Sequence, residues 1–290
     1  MLSRETSSLH QKKVDITYHG RLKTYPDGSW ELLAASRAVF RESGWEVSDK
    51  WDSIPSSRKK LTAENLDRSR RRAAARVRDI ALCTPFRYFV TLTFAPDKVD
   101  RYDPKAILKK MRSWLDNRVR RNGLAYVLVP ELHKDGAVHF HGFFTDCDIG
   151  FVDSGTLDND GWRAPKKPRS TQQRAEWLSE GARIVYNISD WSYGFTTAIQ
   201  IYGEYSAAVG YCCKYIGKQK QKIGGRWYYS GGALGAPDIK YVDCSYYELL
   251  DAKKDAYTFE IEGANVAFAL VRGSGDPADL ITAGGVKIAD

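Results

Sequence analysis

The sequence predicts an α+β fold: an antiparallel sheet with helices on one face, plus extensions at both ends. Three observations carry this. Between residues 85 and 235 the apolar period switches between two and about 3.6, in the order strand, helix, strand, strand, helix, strand, helix. The strand-type segments are β-branched and aromatic, Tyr88-Phe89-Val90-Thr91-Leu92-Thr93-Phe94 most clearly. Two of them flank Lys134-Asp135-Gly136, residue types that close a hairpin.

Residues 1–57 read as an N-terminal extension, in which Asp15–Tyr18 and Trp30–Leu33, divided by Pro26-Asp27-Gly28, form a hairpin. Residues 58–84 read as a basic helix with Ala73-Ala74-Ala75 inside it and Val77, Ile80 and Leu82 as apolar anchors; Pro85 closes it. The domain 85–235 follows. Pro104–Arg120 is helical by the spacing of Ile107, Leu108, Met111, Trp114, Leu115 and Val119, with Pro104 in the first turn, where a missing N–H costs nothing. Leu124–Leu132 and Ala137–Thr145 are strands. Asp153–Ser170 reads as a polar loop and Gln172–Ile184 as a helix. Phe195–Tyr202 alternates like a strand, Ser206–Gln221 is a helix stopping before Gly224-Gly225, and Trp227-Tyr228-Tyr229 is a last strand. Residues 236–290 are a C-terminal extension of mixed pattern.

Composition narrows the function classes. The 290 residues are 43% hydrophobic and 28% charged, which excludes wholesale disorder. No run of about 18 apolar residues exists, so a transmembrane helix is excluded, and Met1-Leu2-Ser3-Arg4-Glu5 lacks the apolar core of a secretory signal. Five cysteines, with no Cys-x-x-Cys pair, argue against a disulfide framework or zinc ribbon and for a reducing cytoplasm. Lys and Arg total 44 against 36 Asp and Glu, for a net charge of +8. Nine of those cations, Arg58, Lys59, Lys60, Arg68, Arg70, Arg71, Arg72, Arg76 and Arg78, lie in one segment opposed only by Glu64 and Asp67. That is the footprint of a polyanion binder, or else a solvated helix face. No G-x-x-x-x-G-K-[ST] sequence occurs, so no P-loop motor is expected.

Two motifs carry chemistry. On a strand, His139 and His141 project from the same face and Phe140 from the other. Two adjacent imidazoles on a rigid strand make half a metal site. Glu131 is the natural third ligand, and loop geometry decides it. A two-residue turn would put Leu132 opposite His139 and Glu131 on the wrong face. A three-residue Lys134-Asp135-Gly136 loop with Gly136 left-handed puts Glu131 opposite His139, with His133 beside them. Three ligands with open positions suit a catalytic Mg²⁺ or Mn²⁺; the rival is structural zinc joined by Cys147. In the second motif, Tyr211-Cys212-Cys213-Lys214-Tyr215-Ile216-Gly217-Lys218, Tyr-x-x-Lys occurs twice in tandem. On a helix Tyr211 and Tyr215 are i,i+4 neighbours, as are Lys214 and Lys218. The motif offers two phenols beside two ammonium groups, or two tyrosines packed into a core beside solvated lysines.

Taken in order, Val90-Thr91-Leu92-Thr93-Phe94, His139-Phe140-His141 and Tyr211-x-x-Lys214-Tyr215-x-x-Lys218 resemble the three motifs of HUH endonucleases. These are rolling-circle replication initiators of small single-stranded DNA viruses, phages and plasmids. The chain is most similar to those of microviruses and filamentous phages, including its Trp191-Ser192-Tyr193-Gly194-Phe195. The resemblance covers about residues 65–235. Phe140 departs mildly from the family, where the middle position is often another bulky hydrophobe.

The resemblance implies an HUH-type sheet presenting Thr91, Thr93, Glu131, His139 and His141 on an open face. It implies a divalent metal at Glu131, His139 and His141, and nucleophilic attack by Tyr211 or Tyr215. The products would be a 5′-phosphotyrosine and a free 3′-OH for a host polymerase, with Lys214 and Lys218 on the phosphate. Single-stranded origin DNA would contact Arg68, Arg70, Arg71, Arg72 and Arg76, with Lys220 and Lys222 following Lys218. Tyr193, Trp227 and Tyr228 either stack bases or fill the core. With no motor domain expected, unwinding falls to a host helicase. A relaxase, a single-strand transposase, a non-catalytic nucleic-acid-binding module and a structural zinc protein remain as alternatives.

Overall fold

The computed structural model describes residues 14–16, 19–37, 40–42, 63–159, 164–201, 205–261, 266–277 and 287–288. Arg58, Lys59, Lys60, Tyr18 and Tyr202 lie outside them. In chain order the elements are β1 (Val14–Ile16), β2 (Gly20–Thr24), β3 (Ser29–Ala35), β4 (Phe40–Glu42), α1 (Ala63–Cys83), β5 (Phe86–Leu92), α2 (Pro104–Asn122), β6 (Tyr126–Leu132), β7 (Val138–Thr145) and β8 (Phe151–Asp158). They continue with α3 (Thr171–Ser179), β9 (Arg183–Ile188), β10 (Thr196–Gln200), α4 (Tyr205–Lys218), β11 (Tyr229–Gly231), β12 (Asp238–Asp243), α5 (Tyr246–Ala252), β13 (Tyr257–Ile261), β14 (Val266–Ser274) and β15 (Lys287–Ile288). The chain divides into two compact units, Lys60–Ala236 and Met1–Lys59 with Pro237–Asp290. No helix among the described residues is long and apolar enough to cross a membrane.

The α+β class and the antiparallel sheet are as the sequence predicts. The Lys60–Ala236 unit holds a seven-stranded antiparallel sheet in the order β11-β6-β7-β5-β10-β9-β8. Strand alternation gives it two different faces. Tyr88, Val90, Leu92, Leu128, Phe140 and Phe144 point to one face and form a core with Ile107, Leu108, Met111, Trp114 and Leu115 of α2. Each such fully buried side chain contributes about 1.5–3 kcal/mol of transfer free energy. The helix is pinned at both ends: the Asp103 side chain accepts from Lys105 N, Pro104 takes the first turn, and Gly123 ends it in the left-handed region. The opposite face carries Phe89, Thr91, Val129, Glu131, His139, His141 and Phe143. There α4 packs on β6 and β7, and α1 packs on α4. Helices therefore cover both faces, where the sequence reading placed them on one.

Two other expectations are corrected. Phe151–Asp158, read as a polar loop, is the edge strand β8. Its Asp and Gly residues, typical of turns, serve a bulge between Asp153 and Thr156 around left-handed Gly155. The helix read as Gln172–Ile184 is α3, capped by Ser170 and over by Ser179; left-handed Gly181 turns the chain into β9.

In the other unit β13-β14-β3-β2-β12-β15 form a six-stranded sheet, and β1 pairs with β4. Leu22, Trp30, Leu32, Ala34, Val242, Ala269 and Val271 build its core with Leu249 of α5. A hairpin does surround Pro26-Asp27-Gly28, but its first strand is Gly20–Thr24 and not Asp15–Tyr18. Tyr25 N–H donates to Ser29 O, Gly28 N–H donates to Tyr25 O and Gly28 is left-handed, so the pairing strand begins immediately before the loop. Residues 14–16 pair with 40–42 instead.

Candidate active site

The β6–β7 hairpin sets the site. Glu131 pairs with His139, and Leu132 with Val138. His133 N–H donates to Ala137 O and Gly136 N–H to His133 O, while Gly136 sits at φ 87°. This is the three-residue Lys134-Asp135-Gly136 loop that the sequence reading required. The loop is stiffened by Asp135, which accepts from Ala137 N–H, contacts His133 Nδ1 at 3.1 Å and pairs with Arg101. The Ala137 N–H, then His133 and Arg101, hold the Asp135 carboxyl below its ordinary range.

Glu131 reaches His141 diagonally: its Oε2 lies 2.9 Å from His141 Nε2. The contact is off the ring N–H axis, so this buried nitrogen has no hydrogen-bond partner. On the other side of the ring, Thr91 Oγ1 lies 3.1 Å from Nδ1. Burial, with a smaller push from His139, lowers the His141 pKa to about 4, so the imidazole is neutral at pH 7. With its proton on Nδ1 held by Thr91, Nε2 directs a lone pair toward a carboxylate oxygen. A divalent cation suits that arrangement, and the mixed imidazole and carboxylate donors fit Mg²⁺ or Mn²⁺. His139, whose pKa burial also lowers, stacks nearly parallel on His133 at 5.1 Å. Among the described residues no three His, Cys, Asp or Glu side chains converge on one metal position; the pair in contact is Glu131 with His141.

Cys147 does not join them. It packs against the α2-side core, the face opposite the histidines, and burial beside Asp146 and Asp148 pushes its thiol up to about 11. The zinc reading built on it fails on geometry.

Helix α4 lays its tyrosines over this face. The Tyr215 ring is buried and stacks on His141, centroids 4.3 Å apart and nearly parallel. Tyr211 is 50% exposed and rests edge-on against Phe89 at 5.6 Å. The Tyr215 hydroxyl donates to Tyr211 Oη at 2.7 Å. Burial, then this bond, raises the Tyr215 pKa well above the ordinary phenol range. Lys218 Nζ lies 5.7 Å from the Tyr215 ring centre. With Glu131, Tyr215 and Gln219 it lines a cleft of about 440 Å³. Lys214, also exposed, is not among the residues lining that cleft.

What positions α4 is the basic helix itself. Ala73 and Ala74 of α1 allow close approach: Cys213 Sγ reaches Ala74 O at 3.6 Å. Tyr205 Oη donates to Ala81 O, Trp227 Nε1 to Ser69 Oγ and Arg70 to Gln219 O. Arg70 and Arg71 also pair with Asp67. Arg71, Arg72, Arg76 and Lys220 are exposed, whereas Arg68 and Lys222 are partly covered. Of the aromatics read as base-stacking or core, Trp227 is buried, Tyr193 packs against the core, and Tyr228 lines a cleft of about 270 Å³ with Lys222, Arg226 and Trp227. The sequence reading takes Phe195 only as the start of a strand; the structure leaves it 80% exposed on the site's face.

Residues 87–220 match the family model for the replication-associated protein ORF2. The matched stretch runs from β5 through α4 and takes in Thr91, Glu131, both histidines, Tyr211, Lys214, Tyr215 and Lys218. It links this part of the chain to replication-associated proteins; α1 and the six-stranded sheet lie outside it. No curated protein and no solved structure matches the chain.

Proposed function

We propose that this chain initiates rolling-circle replication by nicking and joining single-stranded DNA through a tyrosine, as HUH endonucleases do. The observation that supports it best is the seating of the two α4 tyrosines over Glu131 and His141, inside the stretch similar to replication-associated proteins. In this reading Glu131 and His141, with His139 next along the strand, hold Mg²⁺ or Mn²⁺, which when bound polarises a non-bridging phosphate oxygen. Thr91 fixes the His141 ring.

Tyr211 is the first nucleophile. Its hydroxyl proton leaves, its oxygen bonds to phosphorus and the P–O3′ bond breaks. The departing oxygen takes a proton to become the free 3′-OH, and the 5′-phosphate stays on the tyrosine. An oxygen anion on Tyr211 keeps the hydrogen bond from Tyr215, whereas an anion on Tyr215 would lose it. Lys218 places a positive charge at the cleft, and Lys214 adds a second from the exposed side of α4. Arg71, Arg72, Arg76 and Lys220 hold flanking phosphates without reading sequence. Bond energy is conserved in the phosphotyrosine, so rejoining needs no nucleotide. A host polymerase extends the 3′-OH and a host helicase opens the duplex.

The test is a pool of single-stranded oligonucleotides incubated with the chain in Mn²⁺, Mg²⁺ or EDTA. A covalent protein–DNA adduct that survives denaturing electrophoresis, needs metal and disappears in Tyr211→Phe/Tyr215→Phe is the expected result. Salt-sensitive binding with no adduct on origin-bearing DNA would reduce the chain to a binding module.

A further inference from the structure

The exposed ring of Phe195 is held still. Thr93 Oγ1 accepts from Phe195 N–H at 3.1 Å and donates to Phe195 O at 2.8 Å, while Thr93 N–H donates to the same carbonyl at 2.9 Å. Gly194 permits this clamp. A Cβ there would run into Thr93 O, Phe94 Cα and Ala95 N, so only glycine lets the two segments lie this close. Of the aromatics in residues 191–195, Trp191 is buried and Tyr193 packs on the core; Phe195 alone is turned out.

Register gives the direction. Thr196 and Ala198 are buried on the α2 side, so Phe195 and Thr197 point to the histidine face. Thr197 pairs with Thr91, and Thr91 with His141. One step along the same strands, Phe195 aligns with Thr93, His139 and Glu131. Phe195 is thus two strands from His139, about 10 Å at ordinary strand spacing. Stacked nucleotides rise about 3.4 Å each, so the ring lies within about three nucleotides of a phosphate seated at Glu131 and His141.

We propose that Phe195 is a stacking platform for one unpaired base beside the scissile phosphate. The inference rests on the single-strand nuclease reading above and adds a recognition residue to it. A flat ring accepts any base, so the platform positions the strand without choosing sequence. The backbone clamp keeps the ring in place before DNA arrives, which lowers the ordering cost of binding.

The test measures full-length chain binding to a labelled single strand that the wild type cleaves, and to copies with one abasic site moved along it. Phe195→Ala is expected to weaken binding about 5- to 150-fold without changing the salt slope, because no phosphate contact is lost. Phe195→Trp should bind as wild type. Phe195→Leu, apolar but without a flat face, should bind as poorly as alanine. In the wild type, one abasic position close to the cut should weaken binding, and that penalty should vanish in Phe195→Ala. Unchanged affinity in Phe195→Ala, with wild-type cleavage intact, overturns the platform and leaves the ring to a protein partner. Leucine behaving as wild type would do the same. A wild-type chain that binds no single strand removes the nuclease reading, and the platform with it.

Discussion

The Tyr215 hydroxyl donates to Tyr211 Oη at 2.7 Å, so the two phenols are an ordered pair with one donor and one acceptor. Burial on His141 adds to the asymmetry, since Tyr215 is the covered ring and Tyr211 the exposed one. Under the proposed function the two single mutants are therefore unequal. Tyr211→Phe should lower first-cut adduct formation by at least about a hundredfold. Tyr215→Phe should keep it within about tenfold and fail instead at rejoining. Single-turnover adduct yield on denaturing gels separates them, and the reverse ranking would make Tyr215 the first nucleophile.

The hairpin loop gives a second expectation. Glu131 faces the histidines because three residues, Lys134 to Gly136, separate the paired ends at His133 and Ala137. Deleting Lys134 shortens the loop by one and forces the other register, which turns Glu131 to the α2 side. Such a protein should keep its sheet, as read by circular dichroism, and lose metal-dependent cleavage as completely as Glu131→Ala. Cleavage that survives the deletion would remove Glu131 from the site.

Gly142 tests how tightly that geometry is built. A Cβ there would fall against the Val127 carbonyl oxygen and Leu128 Cα, both backbone atoms that cannot swing aside. Gly142→Ala has to push β6 from β7 between the two strands that carry Glu131 and the histidines. The expected cost is about 3 kcal/mol, a fall in melting temperature of roughly 6–12 °C. A variant that melts like wild type would show that the strands separate at no cost.

Cys147 carries a pH expectation. Its thiol is pushed up to about 11 by burial and by Asp146 and Asp148. Between the ordinary thiol range and that value the folded chain keeps a proton that the unfolded chain gives up. The contribution of Cys147 to stability is thus full below about pH 9 and declines as pH rises from there. Over the same range little thiolate is available. Alkylation of Cys147 at pH 8.5, followed by peptide mass spectrometry, should be about a hundredfold slower in the native chain than in urea. Equal rates would show the thiol to be free.

These residues also show what a sequence can reveal. The Glu131–His139 pairing was legible because loop length, a left-handed Gly and strand alternation leave one register. The tyrosine pair was legible because i,i+4 spacing on a helix has one geometry. The strand β8 was not, since an edge strand with a bulge uses the polar and Gly residues of a loop. Nor was the sheet joining β3 to β14, whose partners are more than 200 residues apart and share no local turn signal. Phe195 was hidden for a different reason: alternation names its face only after β10 has been paired with β5. The contact that makes α1 a scaffold for α4 is likewise tertiary, and charge alone read α1 only as a binding surface or a solvated face.

That double role of α1 separates its arginines. Arg72 and Arg76 are exposed, so in the proposed function their charge meets phosphate and nothing else depends on them. Arg70 instead donates to Gln219 O at the end of α4 and pairs with Asp67. Gln219 in turn donates from its side chain to Pro130 O, the residue before Glu131. Arg72→Ala and Arg76→Ala should each weaken binding to every single strand alike and reduce the salt slope by about 0.7, with melting unchanged. Arg70→Ala should lower the melting temperature and slow cleavage at saturating DNA, because it loosens the end of the nucleophile helix beside Glu131. Titrations at several salt concentrations, with thermal melts of the same proteins, distinguish the two behaviours. If Arg70→Ala altered only the salt slope, α1 would be a binding surface and not a support for the tyrosines.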